Sequence, residues 1–146
     1  MKKSIINGLL AGGLIVVLYH IAYLINPTWM VNSTLKLASV VVYIPFMGKA
    51  ASKPALVDVK KGIQAAFIVF IVANAVYYLY YFLQINVFDT NLLTLLKEEM
   101  VRFGGVTMEE LEDFEVPAIR VFSLFMRSLI GGFILSSIIA VILNRR

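Results

Sequence analysis

From Gly62 to Phe88 the chain carries no charged residue, and this run constrains the fold more than any other feature of the sequence. A bilayer core of about 30 Å needs roughly 20 apolar residues as helix, because backbone polar groups must be satisfied within the segment. The run is long enough to cross that core with some tilt. It therefore predicts a membrane-spanning helix.

Three further apolar runs have the same character, and the composition requires an apolar solvent around them. The chain is 60% hydrophobic and only 15% charged. A water-soluble domain of this size exposes too large a share of its area to hide that much apolar surface. We predict an all-α fold, a four-transmembrane-helix bundle made by a single integral membrane domain over residues 1–146. The predicted spans are residues 5–25, 30–47, 62–86 and 118–143.

The placement of lysine and arginine predicts the orientation of these spans. Both termini and the connection between spans two and three hold most of the basic residues, namely Lys2, Lys3, Lys49, Lys53, Lys60, Lys61, Arg145 and Arg146. The segment from Asp89 to Glu115 holds eight of the nine acidic residues. We therefore predict a multi-pass protein of a bacterial inner (cytoplasmic) membrane, with the N-terminus and C-terminus cytoplasmic and the acidic segment outside.

The outer segment, residues 89–116, has a helical pattern of its own. Leu92, Leu96 and Met100 fall on one face, and the glycines that follow can end that helix. Thr107 and Glu110 have the spacing of a capping box for a second one. We predict two short extracytoplasmic helices here. A docking surface for a basic partner, a lid over the bundle and an interfacial helix with solvated acids are all compatible with the pattern.

Small residues recur every fourth position in the first and fourth spans. Gly8 and Gly12 form one stripe, and Gly132 and Ser136 belong to another. Such stripes let helix backbones approach closely, which matters because lipid provides no hydrophobic force for helix association. We predict that these four residues are helix-packing positions and that spans one and four pack together. A homodimer contact through one stripe is the alternative.

Three basic or potentially basic side chains lie at a similar depth in three different spans. His20, Lys36 and Arg127 each fall roughly 8–14 Å inside the outer boundary of their span, at 1.5 Å per residue. Tyr23, Tyr77 and Tyr81 lie in the outer half of the bundle as well. One interpretation is an outward-facing basic pocket for an anionic ligand. The other is that the basic groups snorkel to the interface and the tyrosines form an aromatic belt.

Several function classes are disfavoured by what the sequence lacks. There is no cysteine and only one histidine, so the sequence predicts no metal site and no cofactor. No carboxylate lies inside a predicted span, whereas proton-coupled transporters and cation channels usually use one. No nucleophile or acid–base pair is evident, so we expect no enzyme activity. The charges are segregated by segment, which does not indicate nucleic acid binding.

The chain resembles an uncharacterised family of small four-helix bacterial integral membrane proteins, catalogued as a domain of unknown function. The resemblance rests on four stretches, Gly8-Leu9-Leu10-Ala11-Gly12-Gly13, Val59-Lys60-Lys61-Gly62, Phe88–Glu115 and Gly131–Ala140. It implies the same architecture, with a long outer segment between spans three and four. The family has no assigned activity, so the resemblance gives no residue a role.

Together these features predict a non-catalytic accessory or interaction subunit of a membrane complex. The expected partners are membrane lipids and either another membrane protein or further copies of the chain. The alternative is a transporter or channel component, or a lipid-binding protein, for a small anionic ligand. That alternative uses the basic pocket with His20, Lys36, Arg127, Tyr23, Tyr77 and Tyr81.

Overall fold

The computed structural model describes residues 1–145, with the backbone alone at Ser33; Arg146, used above for the orientation, lies outside the described residues. Every regular element in the described part of the chain is helical. In chain order, the α-helices are α1 (Lys2–Ile25), α2 (Pro27–Val31), α3 (Ser33–Val57), α4 (Val59–Leu83), α5 (Asn91–Gly104) and α6 (Ala118–Asn144). A π-helical turn (Gln84–Phe88) prolongs α4, and a 3₁₀ turn (Glu109–Leu111) lies between α5 and α6.

Four of these helices are long and apolar enough to cross a membrane, as the sequence predicts. They cover Lys2–Ile25, Thr34–Val57, Val59–Phe88 and Ala118–Asn144. Large apolar side chains such as Leu37, Leu79 and Ile130 project from the bundle surface and are exposed. A contiguous apolar exterior of this extent suits a surrounding of lipid rather than water.

Helix α4, which contains the uncharged run, occupies the centre of the bundle. It packs against α1, α3 and α6, and its inward face is formed by small and aromatic residues including Ala66, Ala73 and Tyr77. The central position is the physical reason for the missing charges, because a helix surrounded by other apolar helices has no interface to which a charge can snorkel.

The small-residue stripes of α1 and α6 both face α4 rather than each other. A Cβ atom added at Gly8 would lie 2.7 Å from Val72 Cβ, and one added at Gly12 would lie 2.9 Å from the Ala73 carbonyl oxygen. A Cβ at Gly132 would overlap the Phe70 ring. The predicted pairing of spans one and four is therefore replaced by two separate close contacts with one central helix.

A second close contact joins α3, α4 and α6 near the basic end of the bundle. A Cβ atom added at Gly62 would meet Ala55 and Ala140. Ser136 is fully buried in α6, and its Oγ donates to the Gly132 carbonyl at 2.7 Å. The Asn144 side chain donates to the Ala55 carbonyl at 2.6 Å, which fastens the end of α6 to α3.

The second span differs from the prediction at both ends. Its helix begins at Ser33 rather than residue 30, because the Asn32 side chain caps it by accepting a hydrogen bond from the Thr34 amide at 2.7 Å. It then continues through Pro45 and Pro54 to Val57 instead of ending at residue 47. The alanines of this extension, Ala51 and Ala55, are fully buried. Packing therefore keeps helical part of the basic stretch that the sequence analysis predicts as the connection between spans two and three.

The segment between α4 and α6 contains one α-helix rather than two. Helix α5 ends at Gly104 and is capped by Gly105, whose positive φ of 67° suits a glycine. The predicted capping box forms: the Thr107 amide donates to Glu110 Oε2 at 2.8 Å, and the Glu110 amide donates to Thr107 Oγ1 at 3.3 Å. Only the 3₁₀ turn follows it. Closely spaced acids repel one another there, and Pro117 disfavours helical geometry in the residue before it.

Candidate anion-binding cavity

A cavity of about 460 Å³ lies between α3, α4, α5 and α6, at the end of the bundle that carries the acidic segment. Three basic side chains, Lys36, Arg120 and Arg127, line it together with Ser123. The remaining wall is apolar or aromatic and consists of Tyr81, Leu96, Met100, Phe114, Val116, Ile119 and Leu124. We call it the basic cavity. Its volume is within the range of small-molecule sites.

Lys36 enters the basic cavity from the first turns of α3. Its Nζ lies 4.8 Å from the centroid of the Tyr81 ring on α4, which is cation–π geometry. The Asn32 cap fixes where α3 begins, and the Asn32 Nδ2 group also donates to Glu99 of α5 at 3.2 Å. Lys36 is therefore held at a defined height between α3 and α5. A positive charge in the first turns of a helix interacts unfavourably with the helix dipole, so local electrostatics do not explain why a lysine lies at position 36.

Arg120 and Arg127 enter the basic cavity from a single face of α6. They are seven residues apart, with Ser123 and Leu124 between them on the same face. The Arg120 guanidinium carbon lies 4.1 Å from the centroid of the Phe114 ring, so the segment that precedes α6 positions it. Two helices and a loop thus bring three positive charges to one space.

The acidic residues of the neighbouring segment do not neutralise this space. No carboxylate is among the residues that line the basic cavity. Glu99 is buried and accepts from Asn32, and Asp89 accepts from Tyr23 at 2.9 Å. The Lys97 ammonium group donates a hydrogen bond to the Glu112 backbone carbonyl at 2.9 Å. Glu99 and Asp89 are thus hydrogen-bonded outside the basic cavity, and none of the residues that line it provides a counter-charge for its three cations.

Lys36, Arg127 and Tyr81 are the members of the predicted pocket that meet in the basic cavity. His20 and Tyr23 lie outside it, on α1. The His20 Nδ1 atom is hydrogen-bonded to the Tyr80 hydroxyl at 3.1 Å, and Tyr23 donates to Asp89. Depth along a span, which the sequence provides, is similar for all of these residues. The direction in which each side chain points around its helix axis differs, and for this reason His20 and Tyr23 lie outside the basic cavity.

Tyr77 lines a smaller cavity of about 180 Å³ that lies deeper in the bundle and shares Lys36 with the basic cavity. Its hydroxyl is buried without a hydrogen-bond partner. Asn74, beside it, accepts from the Tyr43 hydroxyl at 3.3 Å and donates to Ser128 Oγ. This asparagine therefore links α3, α4 and α6, as interhelical polar residues do in membrane bundles.

The pocket predicted from the sequence included Lys36, Tyr81 and Arg127 and missed the other residues that line the basic cavity, Arg120 and Phe114 among them. The seven-residue spacing of Arg120 and Arg127 is visible in the sequence and places both on one helix face. Phe114 has no such signal, because it lies in the irregular part of the acidic segment. Leu96 and Met100 were assigned to the apolar face of α5, which the structure turns toward the cavity.

The arrangement suits the binding of an anion. Among residues 1–145, no group of three His, Cys, Asp or Glu side chains is placed to hold a metal ion. The polar side chains that line the basic cavity belong to one lysine, two arginines, one serine and one tyrosine, and all of them can donate hydrogen bonds. Such a set attracts a carboxylate or phosphate.

Four helices are long and apolar enough to span a membrane, and three of them pack around α4, an arrangement consistent with the class of multi-pass helical membrane proteins. The chain matches the family described as "Protein of unknown function (DUF4199)" over residues 6–145, and it belongs to that family. The resemblance to an uncharacterised family is thereby confirmed. No curated protein matches the chain, and no solved structure does.

Proposed function

We propose that this protein binds an anionic amphiphile, a molecule with one carboxylate or phosphate and an apolar body, in the basic cavity. The observation that carries the proposal is the convergence of Lys36, Arg120 and Arg127 on one space without a carboxylate. A charged lysine or arginine at the centre of a membrane span costs about 2.5–3.5 kcal/mol on insertion scales. A ligand whose negative charge neutralises the three groups would lower the cost for those that lie inside a span.

The wall of the cavity supports an amphiphile over a free inorganic ion. The apolar residues Leu96, Met100 and Leu124 face the same space as the charges. A bare phosphate or chloride would leave this apolar surface uncovered, whereas an acyl chain would bury it at roughly 25 cal/mol per Å². The anionic group would bind Lys36 and the two arginines, and the chain would lie along α5 and α6.

Binding of a fluorescent long-chain fatty acid to the purified protein tests the proposal. Arg127→Gln is expected to weaken binding by about tenfold, because a hydrogen bond to a charged group is worth about 1.5–3 kcal/mol. Arg102→Gln is the matched control, because Arg102 is exposed on α5 and does not line the cavity. Ser123→Phe keeps all three charges and fills the space, so it is expected to abolish binding as well.

Two results would reject the anionic amphiphile. One is an equal loss of affinity in Arg127→Gln and Arg102→Gln, which would indicate general electrostatic attraction. The other is equal binding of the corresponding long-chain alcohol, which has the same apolar body and no charge. Anion flux into liposomes then separates transport from binding alone, because a transported ligand must pass Lys36 into the deeper cavity.

The second candidate is the non-catalytic accessory or interaction subunit that the sequence favours. It is supported by Phe103 and Met108, two apolar side chains that are exposed in the segment between the spans. Mass spectrometry of the protein purified gently from native membranes tests it. A stoichiometric membrane-protein partner that Phe103→Ser releases would support the accessory role, and a homo-oligomer or a lone chain that retains lipid would favour the amphiphile site.

The proposed setting is a bacterial inner membrane, with both termini in the cytoplasm and the basic cavity open to the outer half of the bilayer. Its support is that six of the eight lysines lie at one end of the bundle and eight of the nine acids at the other. We propose no catalytic role, because the densest carboxylates, Glu109, Glu110 and Glu112, are exposed on a turn. Nucleic acid is not among the proposed partners.

A further inference from the structure

A second basic cleft lies at the opposite end of the bundle, between the beginning of α1 and the last turns of α3. Its volume is about 740 Å³, and four lysines line it, Lys2, Lys3, Lys49 and Lys53. We call it the lysine cleft. From Lys36 to Lys49 along α3 is about 20 Å at 1.5 Å per residue, so this cleft is separate from the basic cavity.

The four lysines of the cleft have no acidic neighbour among the residues that line it. Lys49 and Lys53 are one turn apart on the same face of α3, and like charges at that spacing repel each other. Lys2 and Lys3 lie in the first turn of α1, where positive charge opposes the helix dipole. Asp58 is the one acid in the sequence near this end, and it accepts from the Lys60 amide at 2.9 Å.

Small polar side chains and an apolar one line the lysine cleft beside the charges. Ser4 and Asn7 line it and are 5% and 8% exposed, so two small polar residues are buried next to four exposed lysines. Ile6 lines the same cleft and is exposed on the outer surface of α1. An occupant therefore meets positive charge, hydrogen-bonding groups and the membrane-facing surface of α1 in one place.

We propose that the lysine cleft binds the phosphate of an anionic phospholipid, whose acyl chains lie along the membrane-facing surface of α1. The chemistry is that of headgroup sites between membrane helices, where clustered lysines face an anionic leaflet. A phosphodiester supplies the missing negative charge and accepts hydrogen bonds from several ammonium groups at once. The proposal does not depend on the ligand of the basic cavity.

The topology of the protein offers a control that separates a site from a general attraction. Lys60 and Lys61 are at the same end of the bundle and are exposed, but they do not line the cleft. Lys49→Gln with Lys53→Gln and Lys60→Gln with Lys61→Gln therefore remove the same charge from the same end. If the lysines act only through topology or a diffuse surface potential, both pairs should affect lipid affinity equally. If they form a site, only the Lys49/Lys53 pair should affect it.

The experiment is native mass spectrometry of the detergent-purified full chain, titrated with phosphatidylglycerol and, separately, with phosphatidylcholine. We expect phosphatidylglycerol to bind more tightly than phosphatidylcholine. The Lys49/Lys53 pair should lose about tenfold or more in affinity, since each lysine near an anionic membrane surface contributes about 1 kcal/mol. The Lys60/Lys61 pair should retain the affinity of the unchanged protein. Lys49→Arg with Lys53→Arg should retain it too, which guards against loss through misfolding.

Three results would overturn the proposal. Equal losses in the two glutamine pairs would mean that no local site exists. Equal affinity for phosphatidylcholine would remove the requirement for net negative charge. Displacement of the lipid by millimolar glycerol phosphate would show that a soluble phosphate ester is sufficient and that the lipid is not the occupant.

Discussion

The Nζ atom of Lys36 on α3 lies 4.8 Å from the centroid of the Tyr81 ring on α4, at the point where both side chains line the basic cavity. The aromatic face stabilises the ammonium group by cation–π attraction without neutralising it. Lys36 is thereby held inside the bundle while its charge remains available to an anion. This relationship distinguishes a positioned lysine from one that only snorkels toward an interface.

Replacing Tyr81 tests the positioning of Lys36. Tyr81→Phe keeps the ring and should leave the affinity for the fatty-acid probe nearly unchanged. Tyr81→Leu removes the ring face and is expected to lower that affinity, because cation–π contacts are worth about 0.5–2 kcal/mol. The measurement is a fluorescence titration of both variants. Equal affinities in Phe and Leu variants would mean that the ring does not position Lys36.

Adjacent glycines in α1 provide a matched test of helix packing. A Cβ at Gly12 would lie 2.8 Å from Val76 Cβ, whereas a Cβ at Gly13 meets nothing within 4 Å. Gly12→Ala is expected to lower the free energy of unfolding by about 1–3 kcal/mol through overpacking against α4. Gly13→Ala should raise it by about 0.5–1 kcal/mol, because alanine is the better helix former. Unfolding in mixed detergent micelles measures both, and similar values for the two variants would contradict the α1–α4 contact.

The hydrogen bonds of Asn74 should contribute measurable stability. Asn74→Ala breaks the links to Tyr43 on α3 and Ser128 on α6, and we expect a loss of about 0.6–1.7 kcal/mol, as found for such bonds within membranes. Ser137→Ala is the control, because the Ser137 hydroxyl donates at 2.9 Å to Phe133 of its own helix. The same unfolding measurement applies. A loss in Ser137→Ala as large as that in Asn74→Ala would show that the interhelical links are not special.

The proposed orientation can be tested cleanly because the sequence contains no cysteine. Single cysteines at Lys60 and at Glu110, both exposed, lie at opposite ends of the bundle. In intact cells, a membrane-impermeant maleimide should label the cysteine at position 110 and should reach position 60 only after the membrane is opened. The reverse pattern would place the basic cavity on the cytoplasmic side.

Sequence reasoning succeeded where the property depends on one helix at a time. The uncharged run from Gly62 to Phe88 predicted a span because apolar length alone decides insertion. The capping box of Thr107 and Glu110 formed because its two partners are three residues apart. The prediction that the second span ends at residue 47 was wrong, because burial of Ala51 and Ala55 by neighbouring helices keeps the following basic stretch helical.

The sequence identified only part of the candidate site. Lys36 and Arg127 stood out because charge inside a span is costly, and both line the basic cavity. His20 has a similar depth but turns away toward Tyr80, whereas Arg120, an exposed residue closer to the end of its span, borders the basic cavity. Depth follows from counting residues. Rotation of each helix about its axis depends on which neighbours it meets.

The sequence by itself determined the number of long apolar helices and the segregation of charge to the two ends. Only the tertiary structure decided that α4 is the centre, that the stripes of α1 and α6 both face it, and that Lys36, Arg120 and Arg127 share one cavity. The physical reason is that lipid and helix surfaces are equally apolar, so hydrophobicity selects the spans but not the faces that pack. Those faces are chosen by shape and by polar pairing between helices, and neither can be read from one helix alone.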